Sequence, residues 1–201
     1  MTSLLSSHYK KRHNEFHREG GFTLLELLVV MGVMLVITTL ILARHNQFNG
    51  TVLVRNLSYS VALSIRQAQV YGLSGRSTGG LISIRYGVYF TSANPTQYVL
   101  FADQDSDGTY DPGESVEVFS LSGGYVISNI CANTGTVEKC SGSGDIDRLT
   151  ILFMRPNPDA RFITDIANDV YTNGTITVLS AQGVTRYVRV TTTGQISVQQ
   201  E

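Results

Sequence analysis

The feature that most constrains this chain is an apolar run near its start. From Phe22 to Leu42 the sequence reads F-T-L-L-E-L-L-V-V-M-G-V-M-L-V-I-T-T-L-I-L, with Glu26 its one charged residue. About 20 such residues are what a helix needs to cross a bilayer. A segment of this kind cannot be buried alone in a small water-soluble core, so it predicts a membrane helix. A carboxylate inside such a span costs on the order of 2.5–3.5 kcal/mol on insertion scales. Glu26 therefore reads as functional, with a partner to be found.

The flank before the run sets the orientation. Lys10, Lys11, Arg12 and Arg18 stand against Glu15 and Glu19. A basic flank favours the cytoplasmic side, so the C-terminal bulk is expected outside the cytoplasm. A secretory signal is cut after its apolar stretch. Here the Gly20-Gly21-Phe22 junction precedes it, and a cut there would remove the basic leader and keep the helix.

A basic leader ending in Gly21, then Phe22, Thr23, Leu24, Leu25, Glu26 and an apolar helix, resembles the type IV prepilin signature. The resemblance implies cleavage between Gly21 and Phe22 by a membrane-embedded prepilin peptidase, and N-methylation of Phe22. It also implies that Glu26, fifth in the mature chain, pairs with the N-terminal amine of a neighbouring subunit. Physically, a carboxylate and an ammonium that each cost several kcal/mol when buried alone offset much of that cost as a pair.

Beyond the run, Val54, Leu57, Val61, Ile65 and Ala68 recur at helical spacing. They predict that the helix continues outside the membrane with one stripe against a globular head. Asn46-Gln47-Phe48-Asn49-Gly50 between the two parts predicts a weakened or kinked stretch. The expected organisation is a leader at 1–21, a transmembrane helix at 22–42, its extracytoplasmic continuation at 43–73 and a β-rich head at 74–201. Short runs rich in Val, Ile, Tyr, Phe and Thr, separated by Gly, Asn, Asp and Ser turns, predict antiparallel strands. They fall at 81–90, 97–102, 115–121, 125–130, 148–154, 161–164, 175–180, 185–191 and 195–198. The fold class is α+β: a long N-terminal helix on an antiparallel head, the type IV pilin fold by resemblance.

Looser features extend the resemblance to the GspH/FimT type of minor pilins and pseudopilins. They are the helix end Ile65-Arg66-Gln67-Ala68, the strands Gly87-Val88-Tyr89-Phe90 and Tyr98-Val99-Leu100-Phe101, an acidic turn ending Asp111-Pro112-Gly113-Glu114, and a closing Arg186-Tyr187-Val188-Arg189-Val190 strand. That family usually carries Gly-Arg in its last strands, where this chain has Gly194-Gln195. The resemblance implies a non-catalytic subunit of a type II secretion or type IV pilus-like machine. Its partners would be other pilin subunits, the prepilin peptidase and the cytoplasmic membrane.

Composition narrows the alternatives. The leader carries a net charge of +2 within a chain total of −1, which leaves the mature chain at −3. A DNA-capturing subunit is the second reading, with Arg148, Arg155, Arg161, Arg186 and Arg189 as its basic groups. The acidic balance disfavours it. A membrane-anchored enzyme is the third. The four histidines are His8, His13, His17 and His45, so the head beyond them has none for a Ser-His-Asp, Cys-His or His-metal site. The two cysteines, Cys131 and Cys140, fall in the part expected outside the cytoplasm, where a disulfide persists. Two free buried thiols are the alternative.

One motif stands apart. Residues 103–114, D-Q-D-S-D-G-T-Y-D-P-G-E, fit the spacing of a twelve-residue calcium loop. The ligands would be Asp103, Asp105, Asp107, the Thr109 carbonyl, Asp111 and Glu114, with Gly108 at the sharp turn. Two readings stay open: a calcium site, or an acidic turn held by Asx chemistry alone.

Overall fold

The structure is a computed structural model that describes residues 21–75 and 85–200, with the side chains of 43–49 outside the description. The leader up to Gly20 and the expected strand start at 81–84 therefore lie outside the described residues. Two compact units divide the chain, residues 1–43 and 44–201.

In the first unit, helix α1 (Leu24–Ser74) begins just after Thr23. The Glu26 N–H donates to Thr23 Oγ1 at 3.2 Å, and the Leu27 N–H to the Thr23 carbonyl at 3.1 Å. Thr23 is thus the N-cap and Glu26 the third helical residue, the spacing of a capping box. Leu24–Leu42 is long and apolar enough to span a membrane, with mean hydropathy 2.6, and none of it is buried by the rest of the chain. Its two threonines spend their hydroxyls internally: Thr38 donates to the Met34 carbonyl at 2.7 Å and Thr39 to the Leu35 carbonyl at 2.8 Å. Polar groups in hydrocarbon need such internal partners.

In the second unit, the helical assignment runs unbroken through Asn46–Gly50. The expected weak point is not an interruption. Gly50 is buried, and a Cβ there would lie 2.5 Å from Gln182 Oε1. The glycine serves close approach of the 181–183 turn. Val54, Val61, Ile65 and Ala68 are fully buried, and Leu57 packs partly buried beside them.

Among the described residues, ten strands form two antiparallel five-stranded sheets. They are β1 (Arg85–Thr91), β2 (Gln97–Asp103), β3 (Ser115–Ser120), β4 (Val126–Asn133), β5 (Glu138–Cys140), β6 (Arg148–Phe153), β7 (Ala160–Thr164), β8 (Asn173–Leu179), β9 (Thr185–Thr191) and β10 (Ile196–Gln199). One sheet has the order β3-β2-β1-β6-β7 and the other β10-β9-β8-β4-β5. The architecture is α+β, consistent with a type IV pilin-like fold.

Alternation along the strands places the core. Tyr86, Val88 and Phe90 of β1, Tyr98, Leu100 and Ala102 of β2, and Leu149, Ile151 and Phe153 of β6 point inward. The helix docks on this inner face. Tyr71 meets Tyr86 edge-on at 5.5 Å, and Ser64 Oγ hydrogen-bonds Tyr98 Oη at 3.1 Å. The second sheet packs on the same core: a Cβ at Gly174 of β8 would lie 3.0 Å from the Phe162 ring and 3.4 Å from Leu149.

Strand β5 was not expected from sequence. It is only three residues long, Glu-Lys-Cys, without alternation. It pairs with β4 so that Cys131 and Cys140 stand opposite one another, joined by a disulfide with Cα atoms 4.1 Å apart. The bond ties an edge strand with little core of its own. Removing it in a Cys131→Ser/Cys140→Ser variant should lower stability by about 2.5–3 kcal/mol, by the loop-closure argument. Denaturant titration checks the loss. Thiol labelling of unfolded, unreduced wild-type protein should be negative, and two labels per chain would refute the bridge.

Candidate functional site

Two places carry chemistry: the Gly21–Phe22 junction and the acidic loop. Gly21, Phe22 and Thr23 form no helix, and Phe22 is 81 % exposed. Among the described residues, nothing lies within 4 Å of where a Gly21 side chain would be. The junction is open, non-helical backbone one residue before a helix cap, which a protease can bind extended. Glu26 is exposed within the chain and lies three residues along from the cap.

The acidic loop connects β2 to β3. In-register pairing sets Arg85 of β1 opposite Asp103 of β2. Both face away from the helix, on the outer side of the first sheet. The loop folds back over that side. The Tyr110 ring lies 5.4 Å from Tyr89 and 5.7 Å from Phe101. Gly108 has φ +84 and leaves no room for a side chain against Ile163. Asp103 is consequently 1 % exposed.

The carboxylates divide their work. Asp103 Oδ2 lies 2.8 Å from Arg85 Nε, as an ion pair rather than an aligned hydrogen bond, and accepts from the Gly108 N–H at 3.1 Å. Among the described residues, Asp103 Oδ1 is buried without a hydrogen-bond partner. Asp105 Oδ1 accepts from the Asp107 N–H at 3.2 Å, and Asp107 Oδ1 from the Thr109 N–H at 2.7 Å. Glu114 accepts from the Gln104 N–H at 2.7 Å and, through its other oxygen, from the Asp111 N–H at 3.2 Å. Burial pushes the Asp103 carboxyl above its ordinary range, with Arg85 opposing the shift. The Thr109 N–H and hydroxyl hold Asp107 below it.

The loop thus gathers the five expected carboxylates into two overlapping triads that share Asp105. Within each triad, Asp103, Asp105 and Glu114 or Asp105, Asp107 and Asp111, one oxygen per residue lies within 4.8 Å of the others. The Thr109 hydroxyl is committed to Asp107, at 2.9 and 2.8 Å from its two oxygens. Sequence reasoning missed Arg85, because its pairing depends on strand register rather than on any local pattern. It also missed Thr23 as a cap, although Thr23-x-x-Glu26 is the readable signal for one.

The five arginines considered for DNA are distributed over both sheets and the loops. Arg148 and Arg161 lie on β6 and β7 of the first sheet. Arg186 and Arg189 lie on β9 of the second, three residues apart and so on opposite faces. Arg189 donates to Asn173 Oδ1 at 3.2 Å and Arg186 to Gln200 Oε1 at 2.7 Å.

No curated protein and no solved structure matches the chain. Residues 16–42 match the family described as the prokaryotic N-terminal methylation motif. The match covers the leader junction, Glu26 and the apolar helix. Residues 16–42 thus carry the prokaryotic N-terminal methylation motif on the one helix, among the described residues, that is long and apolar enough to span a membrane, in a chain whose α+β fold is consistent with a type IV pilin-like fold.

Proposed function

We propose that this protein is a minor pilin or pseudopilin of the GspH/FimT type, serving a type II secretion or type IV pilus-like machine. It is cut between Gly21 and Phe22, methylated on Phe22 and built into a fibre through its N-terminal helix. The head lies outside the cytoplasm and works by assembly and contact, without catalysis. The observation that carries this reading is the methylation motif at 16–42, placed on an open junction before a capped apolar helix. The order of features in the head supports the subfamily.

Mass spectrometry of protein extracted from membranes tests the reading. The expected N-terminal peptide begins with N-methyl-Phe22. An intact Met1 in cells with an active prepilin peptidase would overturn it.

A further inference from the structure

We propose that the Asp103–Glu114 loop is a calcium site that pins the β2–β3 connection across the outer face of the first sheet. The donors are all oxygens, and the five carboxylates are opposed locally by Arg85 at Asp103 and, more weakly, by Arg85 and Arg148 at Asp107. Oxygen-only, highly anionic sets select hard cations.

The decisive observation is Asp103 Oδ1. The Asp103 side chain is fully buried, and its Oδ2 is already engaged by Arg85 and the Gly108 N–H. Among the described residues Oδ1 makes no hydrogen bond, as Nε and Nη2 of Arg85 make none, and it belongs to a residue grouped with Asp105 and Glu114. A buried charged oxygen without a partner carries an unrecovered desolvation cost. A cation recovers it. The spacing agrees within a triad: oxygens about 2.3–2.6 Å from one calcium ion lie at most about 5 Å apart, and those of Asp103, Asp105 and Glu114 lie within 4.8 Å of one another.

The internal hydrogen bonds leave room for the ion. Each carboxylate oxygen has two lone pairs; the N–H donors occupy one on Asp105 Oδ1 and one on each Glu114 oxygen, while Asp107 Oδ1 takes the Thr109 N–H and shares the Thr109 hydroxyl with Oδ2. Those bonds orient the oxygens. The consequence reaches the fold through Tyr110 and Gly108, which rest on Phe101, Tyr89 and Ile163. Calcium bound here holds the loop, and with it the start of edge strand β3, against the sheet.

The test uses the full chain in detergent, stripped with chelator and held at constant ionic strength. At about tenfold calcium excess over the dissociation constant, mass action predicts a rise in melting temperature on the order of 3–6 °C. Magnesium, which demands a tight octahedral shell, should give little of this. The chain has no Trp, so terbium excited through tyrosine, with Tyr110 inside the loop, provides a second readout that calcium should quench by displacement. Asp105→Asn with Asp107→Asn should abolish both signals. These side chains are exposed and Asn keeps an oxygen acceptor for the Asp107 and Thr109 N–H groups, so the variant should fold in chelator, and its own melt there is the baseline against which its calcium shift is read. Asp111→Asn alone should weaken both signals. The proposal is overturned by a wild-type melt that calcium leaves unchanged, by an equal shift with magnesium, or by a calcium shift that survives the double substitution.

Discussion

Gly72→Ala should destabilise the second unit, although the same change on an exposed helix gains about 1 kcal/mol. A Cβ at position 72 would lie 2.6 Å from the Phe153 carbonyl oxygen and 2.9 Å from its carbon. Those are backbone atoms of β6, so no side-chain rotation relieves the clash. The helix must lift from the sheet, and the burial of Ile65 and Ala68 beside it suffers. Overpacking of this kind costs about 1–3 kcal/mol and sometimes more. Gly72→Val should exceed Gly72→Ala, reaching about 3 kcal/mol or above. Val70→Ala, at a position 52 % exposed, should stay within about 0.5 kcal/mol. Urea titration of the full chain in detergent reads all three. If Gly72→Ala proved stabilising, the close helix–β6 approach would be wrong.

The second large effect concerns Glu26 and rests on the proposed assembly. Glu26→Gln keeps the size of the side chain and the N–H that donates to Thr23 Oγ1, so the helix start should persist. Membrane insertion should be unchanged or better, because the carboxylate penalty is gone. Fibre incorporation should collapse. Leaving a buried ammonium unpaired costs about 3–5 kcal/mol, equivalent to more than about 100-fold per subunit contact at 1.4 kcal/mol per decade. Immunoblots of sheared fibre and membrane fractions separate the two quantities. Thr23→Val is the control that weakens the cap without touching the charge. Wild-type levels of Glu26→Gln in fibres would show that assembly needs no pairing at this carboxylate.

Much of the fold was readable because its signals are local. A continuous apolar run marks a span wherever it sits, and Thr23 caps it from an adjacent position. The stripe Val54–Leu57–Val61–Ile65–Ala68 has one physical outcome, a helix with a buried face. Strand β9 was expected at Thr185–Thr191 and is found there, because β-branched alternation between turns defines it without outside help. The acidic loop was legible for the same reason: its spacing is a property of twelve consecutive residues.

What the tertiary structure decided is where distant segments meet. No local pattern assigns β1 and β6 to one sheet and β4 and β8 to the other. Strand β5 has too little sequence to announce itself and exists because β4 offers it an edge. Gly50 looked like a weak point in a helix, since propensity counts only the glycine. The approach of Gln182, 132 positions along the chain, sets its side chain against Gly50, so a Cβ there would have to displace it. The pairing of Arg85 with Asp103 follows from strand register, and it decides that one carboxylate of the acidic loop is buried and neutralised while its other oxygen stands free. Backbone propensity and hydrophobic period act over a few residues, so sequence alone determined the elements. Register, close approach and burial of charge are set between segments far apart in the chain, and only the folded structure contains them.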